Sequence, residues 1–421
     1  MKVRSLMVAV VLTASAIFVA ACGSSDKSST STGSGSTGSN SVTIYSSLPL
    51  QGDSRPQSQA VVNGEKIALQ ESGGKAGKFA VKYNSLDDST AAAGKWDPGA
   101  VSNNARKAAQ DKSTIAYLGE FNSGASAISI PILNQAGILQ VSPSNTAFGL
   151  TKSGPGADKG EPDKYYPTGK RTYGRVVPID DIQGQAQATY QADKGCKSTY
   201  ILNDKEVYGK GVASTTQTAL QDAGKVKVAG NEGIDTKAAN FRTLAQKIKA
   251  SGADCMFFGG ITQNKAVQVF TDVNAANPQM KLFGPDGVAE SPFTTKLSPQ
   301  VQRLTFVTNP TLDPKLYPES GQQFFKDYKA KYGIDPEPYA IYGYEAMSVV
   351  LDSITRAADK GNDRQSVIDA FFQTKDKESV LGTYSIDEFG DTTLTDYGGN
   401  LVAGGKLVFD KVIKGDTGSA G

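Results

Sequence analysis

Short apolar runs alternate with longer, periodic segments along most of this chain. Runs such as Ile115–Leu118 and Cys255–Gly259 are closed by glycine or polar residues, which is typical of buried strands. Phe241, Leu244 and Ile248 recur at the spacing of a helix that packs on a sheet. Two successive strand–helix series predict two α/β domains with parallel sheets.

The pattern changes after Pro310. Two long helical segments are expected there, Gly321–Tyr332 and Tyr339–Ala358, and the tail from Val380 to Lys414 has the pattern of short strands.

Two of the predicted strands end in small, hydroxyl-rich segments. Ile115–Leu118 is followed by Asn122–Ser126, and Gly137–Val141 is followed by Ser142–Thr146. One βαβ unit separates them, so both should reach the carboxyl edge of one sheet, where open α/β sheets bind ligands. A helix that begins at such a segment attracts anions, although ordinary turns have the same composition.

The N-terminus has the pattern of an export signal. A charged start precedes the apolar stretch Leu6–Ala21, and small residues lead to Cys22. A cysteine at this point is similar to the bacterial lipoprotein pattern, in which it is acylated; a plain signal peptide and an uncleaved anchor are the alternatives. Residues 22–41 then form a Ser/Thr/Gly tether. We expect an extracytoplasmic protein, periplasmic or cell-surface, that is lipid-anchored to the cell membrane.

Charge and composition exclude several classes. The formal net charge is +2, and it falls to zero once Lys2 and Arg4 leave with the signal, so nucleic acid is not an expected partner. No second segment predicts a membrane span. The sequence contains no histidine, which excludes Ser-His-Asp catalysis and imidazole zinc sites. We therefore expect no catalytic residue, no metal and no cofactor.

Two further cysteines, Cys196 and Cys255, each begin an apolar run. Neighbouring parallel strands would bring them to one sheet edge, and cysteine pairs in exported proteins usually bridge. The alternatives are a disulfide, which we favour, and two buried thiols.

From Val42 to about Lys414 the chain resembles the branched-chain amino-acid-binding proteins of ABC importers, in their lipoprotein form, with the type I periplasmic-binding-protein fold. Seven segments carry the resemblance in family order: Pro49–Gly52 with Asn63-Gly64, Gly119–Ser123, Val141–Thr146, Arg175–Asp180 with Gln183-Gly184, Asp204–Gly209, Phe258–Gly260 and Gly284–Val288. It implies two Rossmann-like lobes with parallel sheets, joined by three hinge strands, with the ligand between them. Lobe one would hold residues 42–178 and 309–379, lobe two residues 179–308 and 380–414, and a flexible tail residues 415–421.

The resemblance also implies a ligand site. Ser123, Ser144 and Thr146 would hold the ligand carboxylate, and Asp180 its ammonium, with Asp181 as the rival carboxylate. Two second-lobe residues complete this set: Tyr208, which would close over the ligand or pack in the core, and Asp286, which stands where the family usually has a longer glutamate. Gln57 and Ile261 stand where family members often carry aromatics. Both would line the side-chain pocket, so the side-chain preference stays open, and an amino acid smaller or more polar than leucine is an alternative ligand.

The function expected is non-catalytic capture of a branched-chain or related aliphatic amino acid by a monomer that delivers it to an ABC permease. The main alternative is a sensor of the same fold for amides, urea or small carboxylates; an enzyme is disfavoured. The polar loop at residues 152–170 is interpreted as solvated filler rather than a partner contact.

Overall fold

The computed structural model describes residues 40–415, which form two mostly parallel β-sheets covered by helices. The signal peptide, Cys22 and all but the last two residues of the tether lie outside these residues, as does the tail after Gly415. The strands of the first sheet are β1 Ser41–Leu48, β2 Lys75–Ala76, β3 Phe79–Asp87, β4 Thr114–Gly119, β5 Leu139–Ser142 and β6 Tyr173–Arg175. Those of the second are β7 Ser198–Asn203, β8 Lys227–Gly233, β9 Cys255–Gly259, β10 Lys281–Gly284, β11 Thr305–Asn309, β12 Asp396–Ala403 and β13 Lys406–Lys414.

The strand orders are those of two doubly wound units. The first sheet runs β2-β3-β1-β4-β5-β6 and the second β13-β12-β11-β10-β9-β7-β8. Antiparallel pairs occur only at the margins of the described sheets, at β2/β3, β11/β12 and β12/β13. The predicted fold class, two Rossmann-like α/β lobes, is confirmed.

The helices that cover the sheets begin and end within a few residues of most predicted segments. They are α1 Arg55–Glu71, α2 Pro98–Gln110, α3 Ser123–Gln135, α4 Asp180–Asp193, α5 Val207–Ala223, α6 Arg242–Ala250, α7 Ala266–Ala276, α8 Ser291–Thr294, α9 Pro299–Gln302, α10 Glu319–Tyr332, α11 Ala340–Arg356 and α12 Arg364–Phe372. The sequence pattern did not reveal α4 or α12.

Alternate residues of the central strands enter different cores. In β9, Met256 and Phe258 pack in one apolar cluster, and Phe257 packs in the cluster on the opposite face. A strand that is buried on both faces needs an uninterrupted apolar run, which is why these strands could be read from the sequence.

The chain passes between the two sheets three times: after β6, after β11 and before β12. The residues beyond β11 include α10 to α12, whose apolar faces pack in the core beside the first sheet. Val380, Leu381, Tyr384 and Ile386 belong to that core too. The third crossing therefore begins after Ile386, later than the predicted boundary at Ser379, because the segment after α12 still has a first-lobe core to fill.

Close contact between α1 and α11 fixes the helical layer of the first lobe. A Cβ at Gly64 would stand 2.1 Å from the backbone oxygen of Ala340, so only glycine permits this approach. On α1, Ile67 and Ala68 are buried and pack in the core of the first lobe.

The loop at residues 152–170 is packed against the body, so its interpretation as solvated filler was wrong. Tyr165 and Tyr166 are buried against Ile130 and Leu150. The Tyr166 hydroxyl donates to the Leu150 backbone oxygen at 2.8 Å. Two aromatic side chains anchor a segment whose polar composition alone predicts exposure.

None of the helices within residues 40–415 is long and apolar enough to cross a bilayer. The same range contains no cluster of three or more acidic or cysteine side chains placed to hold a metal ion.

A disulfide joins Cys196 to Cys255, just before β7 and at the start of β9. These strands are paired in parallel, with Thr199 opposite Cys255, so both cysteines stand at one edge of the second sheet. The pairing expected from the sequence is present in the structure.

Removing this bridge should lower stability, because it closes a loop of 59 residues and so restricts the unfolded chain. We expect the double variant Cys196→Ala/Cys255→Ala to lose about 2–4 kcal/mol of unfolding free energy, measured by urea denaturation. As a control, a reducing agent should shift the midpoint of the native protein and leave that of the double variant unchanged. Equal midpoints for the two oxidised proteins would contradict the expectation.

Candidate ligand-binding site

A cavity of about 30 Å³ lies between the two lobes, which is room for no more than a few water molecules. The lobes are therefore in close contact around it, and a larger ligand requires them to separate. The first lobe lines it with Ser54, Gln57, Phe121, Asn122, Ser123 and Ser144, and the second lobe with Tyr208, Ile261, Gln263, Asp286, Gly287 and Glu290.

One end of the cavity is formed by the N-terminus of α3, directly after β4. Asn122 and Ser123 line the cavity at the first turn of this helix, whose leading N–H groups have no partner within the helix. Ser144 enters from the end of β5, and its hydroxyl donates to the Phe121 backbone oxygen at 2.9 Å. Hydroxyls and helix N–H groups in one place suit a carboxylate.

A buried ion pair positions the Ser144 loop from behind. Arg175, at the end of β6, bonds Asp391 through Nε at 2.7 Å. Its Nη1 donates to the backbone oxygens of Asn145 and Ala147, at 3.0 and 2.9 Å. Asp391 lies between Ile386 and β12, so the loop that carries Ser144 is tied to the third crossing between the lobes.

Asp286 forms the opposite side of the cavity and is held by both lobes. Its Oδ1 accepts from Tyr208 Oη at 2.5 Å and from Gln183 Nε2 at 2.6 Å, both within the second lobe. Its Oδ2 accepts from Tyr339 Oη of the first lobe at 2.6 Å. These donors are neutral and orient the carboxylate without cancelling its charge.

Asp180 is buried close to Asp286, at the first residue of α4. Both of its carboxylate oxygens are buried and have no hydrogen-bond partner among the described residues, and the same holds for the hydroxyl of Thr146. The backbone of Asp180 donates to the Thr146 oxygen at 2.8 Å, which fixes the two residues side by side. The Thr146 hydroxyl is nevertheless close enough to lower the pKa of Asp180, and apart from it this buried carboxyl group has no side-chain donor.

The electrostatics of the two carboxylates follow from this burial. Desolvation raises the pKa of Asp286 despite its three hydrogen bonds. The pKa of Asp180 is raised well above its ordinary value, by desolvation first and then by the neighbouring Asp286. A cation bound beside the pair would lower both pKa values and restore the charged forms.

The structure brings most of the predicted site residues to the cavity. Gln57, Ser123, Ser144, Tyr208, Ile261 and Asp286 line it. Of the described residues in the predicted set, Thr146 and Asp180 lie outside the lining, buried beside it. Asp181, the rival of Asp180, faces a separate cavity beside Lys152 and Asp391. The binding roles of these residues stay predictions.

Sequence reasoning missed Glu290, Gln263 and Tyr339. Glu290, the extended residue just before α8, contributes a third buried carboxyl group, whose pKa desolvation raises to about 8. Tyr339 belongs to the first lobe by its position before α11, but its hydroxyl reaches the second lobe. No local pattern marks such a residue, because its partner is 53 positions away.

A second set of contacts between the lobes lies at the rim. Lys95 Nζ is 2.5 Å from Glu206 Oε1 and donates to Asn264 Oδ1 at 2.7 Å. The indole of Trp96 donates to Glu206 Oε2 at 3.3 Å. We call Lys95, Trp96, Glu206 and Asn264 the rim latch, because it joins a first-lobe loop to the start of α5 and to the segment before α7.

Comparison with known proteins agrees with this architecture. Residues 41–396 match the sequence model of a family described as periplasmic binding protein. The Leu/Ile/Val-binding protein homolog 1 of Brucella suis is 28% identical over 282 residues, covering 66% of this chain and 70% of the relative. A protein of Pseudomonas aeruginosa named amino acid binding protein is 28% identical over 290 residues, covering 68% and 71%.

Solved structures share the fold at low identity. A leucine-binding protein of Thermotoga maritima superposes with a TM-score of 0.76 at 23% identity, covering 89% of this chain and 99% of that one. A solute-binding protein of R. palustris in complex with benzoate gives 0.73 at 19% identity, covering 89% and 97%. The resemblance identified from the sequence segments is confirmed.

The raised pKa of Asp180 predicts a pH dependence of stability. Above the ordinary carboxyl pKa the unfolded chain releases a proton that the folded chain keeps, so the stability of the ligand-free protein should fall as the pH rises. Asp180→Asn should flatten this slope between about pH 5 and about pH 8, by at most about 1.4 kcal/mol per pH unit. Urea unfolding at several pH values measures it.

Asp410→Asn provides the control. Hydrogen bonds from Lys194 and Tyr190 outweigh desolvation and lower the pKa of Asp410, so its contribution changes only in more acidic solution. This variant should keep the native slope between about pH 5 and about pH 8. Equal slopes in Asp180→Asn and the native protein would contradict the assignment.

Proposed function

The chain belongs to the periplasmic binding protein family, and we propose that it captures an amino acid in the cavity between its two lobes. One observation carries the proposal: the buried Asp286 lines the same cavity as Ser123 and the N-terminus of α3, and a second buried carboxyl group, Asp180, lies beside this lining next to Asp286 and Thr146. A zwitterion has the complementary charges at the same two ends.

The carboxylate of the ligand would lie at the α3 end of the cavity. There Ser123 supplies a hydroxyl, and the first turn of α3 supplies N–H groups and the positive end of its dipole. Ser144 lines the same wall, with its hydroxyl donated to the Phe121 oxygen. Thr146, whose hydroxyl is unpaired among the described residues, lies beside this region.

The ammonium of the ligand would lie against the carboxylates. Apart from the nearby Thr146 hydroxyl Asp180 has no side-chain donor, and Asp286 has only neutral ones, so a cation is the partner that suits both. Tyr208, which donates to Asp286, would then close over the ligand from the second lobe.

The names of relatives support an amino acid of the branched-chain or related aliphatic type. The benzoate complex of one neighbour supports the alternative, a receptor for a small carboxylate or amide. We favour the zwitterion because its ammonium group would pair with the desolvated Asp180 and Asp286, whereas a ligand without that group would bring no cation to either.

As an extracytoplasmic solute-binding protein it would present the closed form to an ABC permease, act as a monomer without turnover of the ligand, and be tethered through acylated Cys22. Closure would follow from contacts that need both lobes, namely Tyr339 with Asp286 and the rim latch.

The first test is calorimetric titration of the purified protein with single L-amino acids, after unfolding and refolding to remove carried-over ligand. We expect one-to-one binding of at least one amino acid. Asp180→Ala should weaken it by about 100-fold or more, since the ammonium loses a buried charged partner. Asp181→Ala, in the separate cavity, should retain native affinity. Absence of heat with every α-amino acid would sink the proposal.

The rim latch should control ligand release. Glu206→Gln removes the charge that Lys95 contacts across the lobes, so the closed form should open more readily. We expect the dissociation rate, measured by stopped-flow fluorescence, to rise by about 2- to 5-fold with little change in the association rate. Lys210→Met, which breaks an exposed ion pair with Asp158, is the control and should leave release unchanged. A native dissociation rate in Glu206→Gln argues against a latch.

A further inference from the structure

The part of the cavity wall that remains for the ligand's side chain is polar. Once the two charged ends are assigned, the wall consists of Ser54 and Gln57 from the first lobe and Gln263 and Glu290 from the second, with Phe121 and Ile261 beside them. A pocket for an aliphatic side chain would be lined mainly by apolar groups.

The polar residues differ in how many of their hydrogen-bonding groups are already bonded within the protein. Gln57 bridges the lobes, since its Nε2 donates to the Ala289 oxygen at 3.1 Å and its Oε1 accepts from the Tyr339 N–H at 3.1 Å. Gln263 Nε2 donates to Glu290 Oε1 at 3.0 Å. The Thr262 side chain is also close enough to Glu290 to offset part of the rise that desolvation causes in the pKa of that carboxyl group. Gln263 and Glu290 both line the cavity, and each has acceptor positions beyond these contacts.

Because these acceptors are buried, they favour a polar ligand side chain over an apolar one. Glu290 is only 5% exposed, and an aliphatic side chain packed against it would remove its remaining water without replacing the hydrogen bonds. Sites built to bond a polar group reject its apolar isostere strongly, because their own buried groups are then left unpaired.

We propose that Glu290 and Gln263 determine specificity and select a small L-amino acid whose side chain donates a hydrogen bond, an amide or a hydroxyl. The inference rests on the proposed function and narrows its ligand class. The raised pKa of Glu290 agrees with this, because a neutral carboxyl group both donates and accepts, as a side-chain amide does. Acidic groups with an electrostatic effect on Glu290 are Glu337 and Asp53.

The test compares isosteric ligands by calorimetry on the purified protein: L-asparagine against L-leucine, and L-threonine against L-valine. We expect each polar member to bind at least about tenfold more tightly than its apolar partner. This comparison needs no variant, so it tests the preference for a polar side chain even if a substitution impairs folding.

Variants then assign the preference to residues. Glu290→Leu and Gln263→Leu should each abolish or reverse it, whereas Gln59→Leu, on α1 outside the cavity lining, should preserve it. Equal or tighter binding of leucine and valine by the native protein would overturn the inference and leave the proposed function standing. A polar preference that survives both cavity variants would also overturn it. If no amino acid binds, the proposed function fails as well.

Discussion

The closed arrangement of the two lobes depends on one desolvated carboxylate. Asp286 receives hydrogen bonds from Tyr208 and Gln183 on its own lobe and from Tyr339 on the other, so it is the point where the lobes meet inside the cavity. Burial raises its pKa nevertheless, because neutral donors offset only part of the lost hydration. Asp286 therefore joins the lobes and at the same time favours a nearby cation.

This double role separates two contributions to closure. The contacts of Tyr339 and of the rim latch need no ligand, so they set how readily the lobes come together. Desolvation favours the protonated forms of Asp180 and Asp286, and under the proposed function an ammonium ligand would restore their charge and so make the closed form more favourable with ligand than without it. A ligand shifts the lobe equilibrium only by such a difference in affinity for the two states.

Sequence patterns predicted the parts of the fold that are determined by residues close to one another in the sequence. Central strands such as β9 are buried on both faces and appear as apolar runs, and Phe241, which packs in the core just before α6, helped to mark that helix. The helix α4 was missed because three buried glutamines, Gln183, Gln187 and Gln191, lie among the apolar residues of its buried side and obscure the pattern. Its amides bond residues beyond the helix, as Gln187 does with Gly284 and Thr308, and no window along the chain contains that information.

In the site too, some features follow from nearby residues in the sequence and others depend on distant ones. Strand ends rich in hydroxyls indicated Ser123 and Ser144, whereas their positions depend on Arg175, whose partner Asp391 is 216 residues away. A buried arginine is stable only when its charge is paired and its N–H groups are bonded, and here Asp391 and the backbone oxygens of Asn145 and Ala147 do both. Because Asp391 precedes β12 in the third crossing, a hinge movement that displaced it would also displace the loop that carries Ser144. One ion pair, Arg175 with Asp391, thus couples the third crossing between the lobes to the loop that carries Ser144.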